Sequence, residues 1–245
     1  MKLTIQNLRN SFDQKLVLNQ VNMQIKNGEF VAILGPSGCG KSTILNILAG
    51  LIQPDAGIIQ VDGKEVKGVS DHFAYMPQSD LLLPWKTILE NVTLYGQINK
   101  DKKNATEKAL KEFKTFGLDG YQNAYPRELS GGMRQRAAFL RTALCNADIL
   151  LLDEPFGALD VITRNDMQDW LLNLRDEYNR TTLLVTHDID EALYLADRIL
   201  ILSHRPASII REIDLSNVEK SRDWLFSQGA LKQDIFELLK GENNA

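Results

Sequence analysis

Apolar and polar positions divide the chain into three differently patterned stretches. To about residue 80, short apolar or alternating runs predict strands at Leu3 to Leu8, Val17 to Ile25, Phe30 to Leu34, Gly57 to Val61 and Phe73 to Met76, with Asp62-Gly63 as a hairpin turn. From about Trp85 to Cys145 the spacing becomes helical. In Asn104 to Phe116, Asn104 reads as a cap with Glu107 three residues on, Ala109, Leu110, Phe113 and Phe116 share one face, and Gly117 ends the helix. After Asp148, strands and helices alternate. Ile149 to Leu152, Thr182 to Thr186 and Arg198 to Leu202 read as strands, with helices near Arg164 to Glu177 and Ile189 to Ala196. Such alternation implies a parallel sheet covered by helices, an α/β fold, with the helical stretch inserted into it. Beyond Ile213 a charged segment leads to Leu231, Ile235, Leu238 and Leu239 at helical spacing, a short helix packed on the core.

Gly35-Pro36-Ser37-Gly38-Cys39-Gly40-Lys41-Ser42-Thr43 follows an apolar strand and opens a helix, and it matches G-x-x-x-x-G-K-[ST] at every specified position. Its glycines let successive backbone N–H groups converge on phosphate oxygens, helped by the positive end of the helix dipole. Lys41 would reach the β- and γ-phosphates and Ser42 would ligate Mg²⁺. Ile149 to Leu152 delivers two adjacent carboxylates, Asp153 and Glu154, to the carboxyl end of a buried strand, where ligands of such sheets bind. Asp153 is placed to hold Mg²⁺ opposite Ser42, and Glu154 to polarise an attacking water. In Leu129-Ser130-Gly131-Gly132-Met133-Arg134-Gln135-Arg136, Ser130 reads as a helix N-cap followed by glycines that expose N–H groups, a second anion site. One triphosphate has no evident use for two such helix ends, so this cap is structural or serves a nucleotide held by another copy.

Composition narrows the function. The 245 residues allow one large domain with lobes, and no internal repeat divides them. Acidic residues outnumber basic ones, 32 to 28, which disfavours nucleic acid as the main partner. The N-terminus lacks a signal-peptide pattern, and no apolar run approaches the roughly 18 residues of a membrane span. A cytoplasmic polypeptide is expected. Cys39 and Cys145 form no disulfide framework or zinc spacing, consistent with a reducing compartment. Cys39 is either a thiol activated by the helix N-terminus or a small residue fitted between glycines.

In this order the motifs resemble the ATP-binding cassette ATPases over nearly the whole chain. Gly35 to Thr43 is similar to the Walker A loop, Gln78 to the Q-loop glutamine, and Leu129 to Gln135 to the signature motif. Asp153-Glu154 resembles the Walker B end, Ala158-Leu159-Asp160 the D-loop, and His187 the switch histidine. Phe12 resembles the aromatic that stacks on adenine. Met133 stands where many members carry Gln, and Gly157 where many carry Ser.

The resemblance implies a P-loop NTPase core with a mostly parallel sheet, an N-terminal antiparallel β-subdomain and an inserted α-helical subdomain. It divides a single cassette into core at about 1–84 and 146–215, helical lobe at about 85–145 and C-terminal extension at about 216–245. ATP and Mg²⁺ are the implied ligands. Glu154, His187, Lys41 and Gln78 are the implied catalytic residues, and Ser42, Gln78 and Asp153 the metal ligands. Nucleotide contacts come from Phe12, Gly35 to Thr43, Ser130, Gly131, Gly132 and Asp160. Two copies would pair head to tail, each signature capping the γ-phosphate held by the other.

The stretch Gln78 to Trp85 resembles importer subunits of the nitrate, sulfonate, taurine and thiamine-precursor group. In that group the cassette docks on the inner face of the membrane beneath a permease fed by a solute-binding protein. Leu81 to Trp85 is then either permease contact area or internal packing of the helical lobe. Too few residues follow for the regulatory domain of sugar importers. An exporter or lipoprotein-release subunit is the nearest alternative. A GTPase is disfavoured, since Asn99-Lys100-Asp101-Lys102 ends in Lys where a base reader needs Asp, and a kinase leaves the signature run unexplained.

Overall fold

The computed structural model describes residues 1–241, apart from the side chains of residues 176–178. Strands β1 (Leu3–Phe12), β2 (Lys15–Ile25), β4 (Ala56–Val61) and β5 (Lys64–Glu65) form an antiparallel sheet in the order β2-β1-β4-β5. A strict period of two from Leu3 and Ile5 would turn Asn7 inward. A bulge there, with Asn7 at φ 51°, moves Leu8 onto the core face instead. Gly57 makes room for it, since a Cβ at Gly57 would lie 2.7 Å from Leu8 Cα. Asp62-Gly63 closes the β4–β5 hairpin with both φ angles positive, 50° and 75°, as expected of that dipeptide.

The second sheet runs β10-β9-β3-β8-β7-β6. In it β3 (Phe30–Leu34), β6 (Phe73–Met76), β7 (Ile149–Asp153), β8 (Thr181–Val185) and β9 (Arg198–Leu202) are parallel, and β10 (Ile209–Asp214) adds an antiparallel edge. Every residue of β3, β7 and β8 is buried, which is why β3 and β7 up to Asp153 read as apolar runs, while β8 opens with the buried Thr181 and Thr182 before its own. Their alternate side chains feed two cores. Val31, Ile33, Leu151 and Val185 meet the antiparallel sheet and α1 (Lys41–Leu48). Phe30, Ala32, Leu34, Leu152 and Leu184 meet the helices of the other face.

Four of those helices, α2 (Ile88–Val92), α3 (Leu94–Ile98), α4 (Lys102–Phe113) and α5 (Gly131–Ala143), lie between β6 and β7 in the chain. The others are α6 (Val161–Tyr178), α7 (Ile189–Leu195), α8 (Arg222–Ser227) and α9 (Gly229–Lys240). Phe139 of α5 meets Trp170 of α6 and Phe156 edge-on at 5.7 Å each, so the turn after β7 is pinned between helices. Two details differ from the expected helix. Asp101, not Asn104, is the residue before α4, and Asn104 Nδ2 instead donates to Asp101 Oδ2 at 2.9 Å. Leu110 is exposed, while Ala109, Phe113 and Phe116 are buried. The C-terminal helical spacing is confirmed, with Ile235 fully buried.

Candidate active site

The five parallel strands present their carboxyl ends on one rim. After β3 comes the phosphate loop, in which Gly38 and Gly40 take φ of 72° and 126°. A Cβ at Gly40 would lie 2.9 Å from Val17 Cγ1, so glycine is required both by conformation and by the close approach of β2. Helix α1 starts at Lys41 with Gly40 as its N-cap and no side chain bonded to its first turn. Lys41 is buried and donates to Gly35 O at 2.7 Å and Pro36 O at 3.1 Å. Cys39 is 2% exposed, and burial pushes its thiol above the ordinary range. Of the two readings of Cys39, this burial favours the small residue packed among the loop's glycines, its Sγ 2.8 Å from where a Cβ of Gly35 would stand.

Further along the rim, beyond β8, β7 delivers Asp153, 3% exposed, and Glu154. Burial raises the Asp153 carboxyl and the neighbouring Glu154 charge adds to this, against hydrogen bonds from Ser42 and Tyr75 and the charge of Lys41. Tyr75 was not foreseen. It sits on β6, in register with Leu151 of β7, and a hydroxyl contact between neighbouring strands leaves no mark in local spacing. Glu154 itself occupies the left-handed region, φ 49°, and its N–H donates to Val185 O at 2.9 Å. Such a backbone costs about 1–2 kcal/mol and turns the carboxylate out of the strand direction. There it meets two residues from neighbouring strands. Gln78 Nε2, after β6, donates to Oε2 at 3.0 Å, and His187 Nδ1, after β8, lies 3.1 Å from Oε1. Two of the other three expected catalytic residues thus converge on the Glu154 carboxylate.

Magnesium favours oxygen ligands, using one or two protein groups together with phosphate oxygens and water. The Ser42 hydroxyl beside the buried Asp153 carboxylate fits that demand. Among the described residues no group of three or more His, Cys, Asp or Glu offers an all-protein cage.

The remaining expected residues lie at the surface. Phe12 is 45% exposed at the β1–β2 turn. Ser130 Oγ accepts from Met133 N at 3.3 Å and so caps α5. Gly132 abuts the 158–159 turn, with a would-be Cβ 3.4 Å from Ala158 O. Asp160 caps α6, accepting from Thr163 N at 3.1 Å. Segment 78–85 is fastened to α5 by an Arg134–Asp80 ion pair at 3.0 Å and by Arg141, which donates to Asp80 O and Leu81 O. Trp85 is 70% exposed, which excludes internal packing for it, whereas Leu82 is 7% exposed and belongs to the core rather than to a contact surface.

The family model described as ABC transporter matches residues 18–157. The chain belongs to the ABC transporter family. The cassette is 44% identical over 233 residues to the formylaminopyrimidine import ATP-binding protein of Halalkalibacterium halodurans, covering 93% of this chain and 91% of that protein. It is 40% identical to the taurine import ATP-binding protein of Yersinia pestis bv. Antiqua, covering 87% and 84%. Among solved structures it resembles the dimeric structure of a bacterial ABC transporter cassette, with TM-score 0.78, 33% identity and coverage of 87% and 98%. It also resembles a dimeric post-hydrolysis state bound to ADP and Pi, with TM-score 0.77. The protein is an ATP-binding ABC ATPase. No helix among the described residues is long and apolar enough to cross a membrane.

Proposed function

We propose that this cassette is the ATP-hydrolysing subunit of a membrane importer for a small solute of the nitrate, sulfonate, taurine or thiamine-precursor kind. The observation that carries the hydrolytic half is Glu154, held between Gln78 and His187 beside the phosphate loop. The importer half is supported by the names of relatives that match this chain over most of its length.

The loop from Gly35 through Pro36, Ser37, Gly38, Cys39 and Gly40 to Lys41, Ser42 and Thr43 receives the triphosphate, and Phe12 stacks on the base. Ser42, Asp153 and Gln78 would hold Mg²⁺, which when bound would screen the phosphate charge. Glu154 accepts a proton from the attacking water as its oxygen bonds to the γ-phosphorus and the bond to the ADP oxygen breaks. Gln78 and His187 fix that carboxylate's direction, and Lys41 leaves its loop carbonyls for the phosphate oxygens. Ser130, Gly131, Gly132 and Asp160 face the nucleotide of a second copy, so that ATP favours the closed pair and hydrolysis reopens it. Exposed Leu81 and Trp85 meet the permease, which receives its solute from a binding protein, and the cassette sits on the cytoplasmic side of the membrane.

Glu154→Gln tests the chemistry. With MgATP it is expected to elute as a dimer from a sizing column and to turn over about 10²–10⁴-fold more slowly. Hydrolysis at the parent rate would remove Glu154 from the mechanism. Affinity purification of the cassette from solubilised membranes tests the importer reading. A multi-span permease is expected, and recovery with soluble proteins or nucleic acid alone overturns it.

A further inference from the structure

Four of the five parallel strands end in loops that carry the residues above; the fifth, β9, ends in residues 203–208, where no motif lies. Yet β9 is the immediate neighbour of β3, with Leu34 in register with Ile201, so this loop flanks the phosphate loop on the side away from His187. It is firmly anchored. Ala207 N donates to Val17 O at 2.7 Å and Ala207 O accepts from Asn19 N at 2.9 Å, while Ser203 N and Ser208 N close the turn at 3.0 Å each. Val17 is the residue whose side chain abuts Gly40, so both loops lean on one stretch of β2.

From this anchored turn, Arg205 Nε donates to Gly38 O, and Nη2 lies 3.7 Å from where a Cβ of Gly38 would stand. A loop that aims successive N–H groups at an anion turns its carbonyls outward, where a donor that grips one fixes the orientation of its peptide. Gly35 O and Pro36 O are served by Lys41, which phosphate would draw away. Gly38 O is served from outside the loop by a side chain that can stay where it is. We infer that Arg205 is a positioning residue of the nucleotide site: it holds the Gly38 peptide with its carbonyl outward, keeps the loop's N–H groups aimed at the triphosphate, and adds a positive charge on that flank.

The inference rests on the nucleotide reading proposed above, and titration with ATP separates the two. Arg205→Ala is expected to weaken ATP binding about five- to tenfold. The KM for hydrolysis should rise by the same factor while kcat at saturating ATP changes less than about twofold, the pattern of lost uniform binding. Arg205→Lys, which keeps a charge and a donor, should bind within about threefold of the unmodified chain. Unchanged ATP affinity in Arg205→Ala, or a fall in kcat with KM constant, overturns the inference. If the alanine variant does not fold, Arg205→Gln is read in its place by the same criteria. Failure of the unmodified chain to bind ATP would instead sink the nucleotide reading.

Discussion

Helices α1 and α5 both begin with glycine at or beside their first residue, and they treat their free N–H groups in opposite ways. Helix α1 has no capping side chain and starts from a loop whose Gly35, Cys39 and Gly40 are buried, whereas α5 is capped by Ser130 and starts at the exposed surface. Helices α6 and α7 follow the second pattern, capped by Asp160 and Asp188. The first N–H groups of a helix need partners. At α5 to α7 the chain supplies part of that demand from a capping side chain; at α1, which follows the glycine-rich loop, it supplies none, which suits the anion proposed there. The capped start of α5 and the 158–160 turn also lie against each other at the exposed surface, the placement that the proposed site shared with a second copy requires.

The sharpest way to break this contrast is to disable each end separately. Lys41→Ala removes the cation of the uncapped end. Gly131→Asp charges the other: the position is exposed, its nearest neighbour to a new Cβ is Arg134 Nη2 at 3.9 Å, and an acid in a first helical turn is favourable to folding. Each variant alone should hydrolyse ATP at least about 100-fold more slowly, as when one group facing the transition state is lost or opposed. Mixed, they should recover up to roughly a quarter of the parent rate, because half of randomly paired dimers carry one intact composite site. No recovery above either variant alone would place both helix ends in the service of one chain's own nucleotide.

The two ends were not equally legible. The uncapped one is written in contiguous residues, strand, glycines, Lys41 and Ser42, and so are the buried runs of β3, β7 and β8 that position it. What escaped was lateral. Tyr75 reaches Asp153 across two strands, Arg205 reaches Gly38 from a loop over 160 positions away, and β10 was missed because its apolar content is confined to an edge. Leu82 and Trp85 look alike as apolar residues of one short segment, but a turn closed by Lys86 N–H to Leu83 O at 3.1 Å puts Trp85 at its exposed tip, while Leu82 lies before it in the core.

That segment repeats the contrast between what the chain completes and what it leaves open, and it yields the next largest effect. Leu82→Asn should lower the stability to urea by about 2–4 kcal/mol, through lost packing and an unpaired buried amide. Trp85→Ser should leave stability within about 0.5 kcal/mol. Only Trp85→Ser should then abolish permease capture while ATP turnover of the isolated cassette persists. Equal destabilisation by both would return Trp85 to the interior.

The smallest effect concerns a carboxylate that the closed style of helix start has made costly. Helix α7 carries Asp190 and Glu191 in its first turn behind the Asp188 cap, a placement favoured by the dipole, whereas α1 has no acid there. Glu191 is nevertheless 5% exposed, accepting from Thr186 Oγ1 at 2.7 Å, with Arg164 Nε 3.9 Å from its other oxygen. Burial pushes its carboxyl up to about 7, outweighing the Thr186 hydrogen bond and the nearby Arg164 and His187 charges. Between the ordinary carboxylate value and about 7 the folded chain therefore binds more protons here than the unfolded chain. By linkage this contribution to stability falls as pH rises through that window and levels off above it. Glu191→Gln keeps the shape without the charge, so its urea midpoint should decline less between pH 5 and pH 8. By the upper pH it should gain about 1–3 kcal/mol on the unmodified chain. Parallel pH profiles for the two would mean that Glu191 is ionised in the folded cassette, with Arg164 and Thr186 sufficient to hold its charge in the interior.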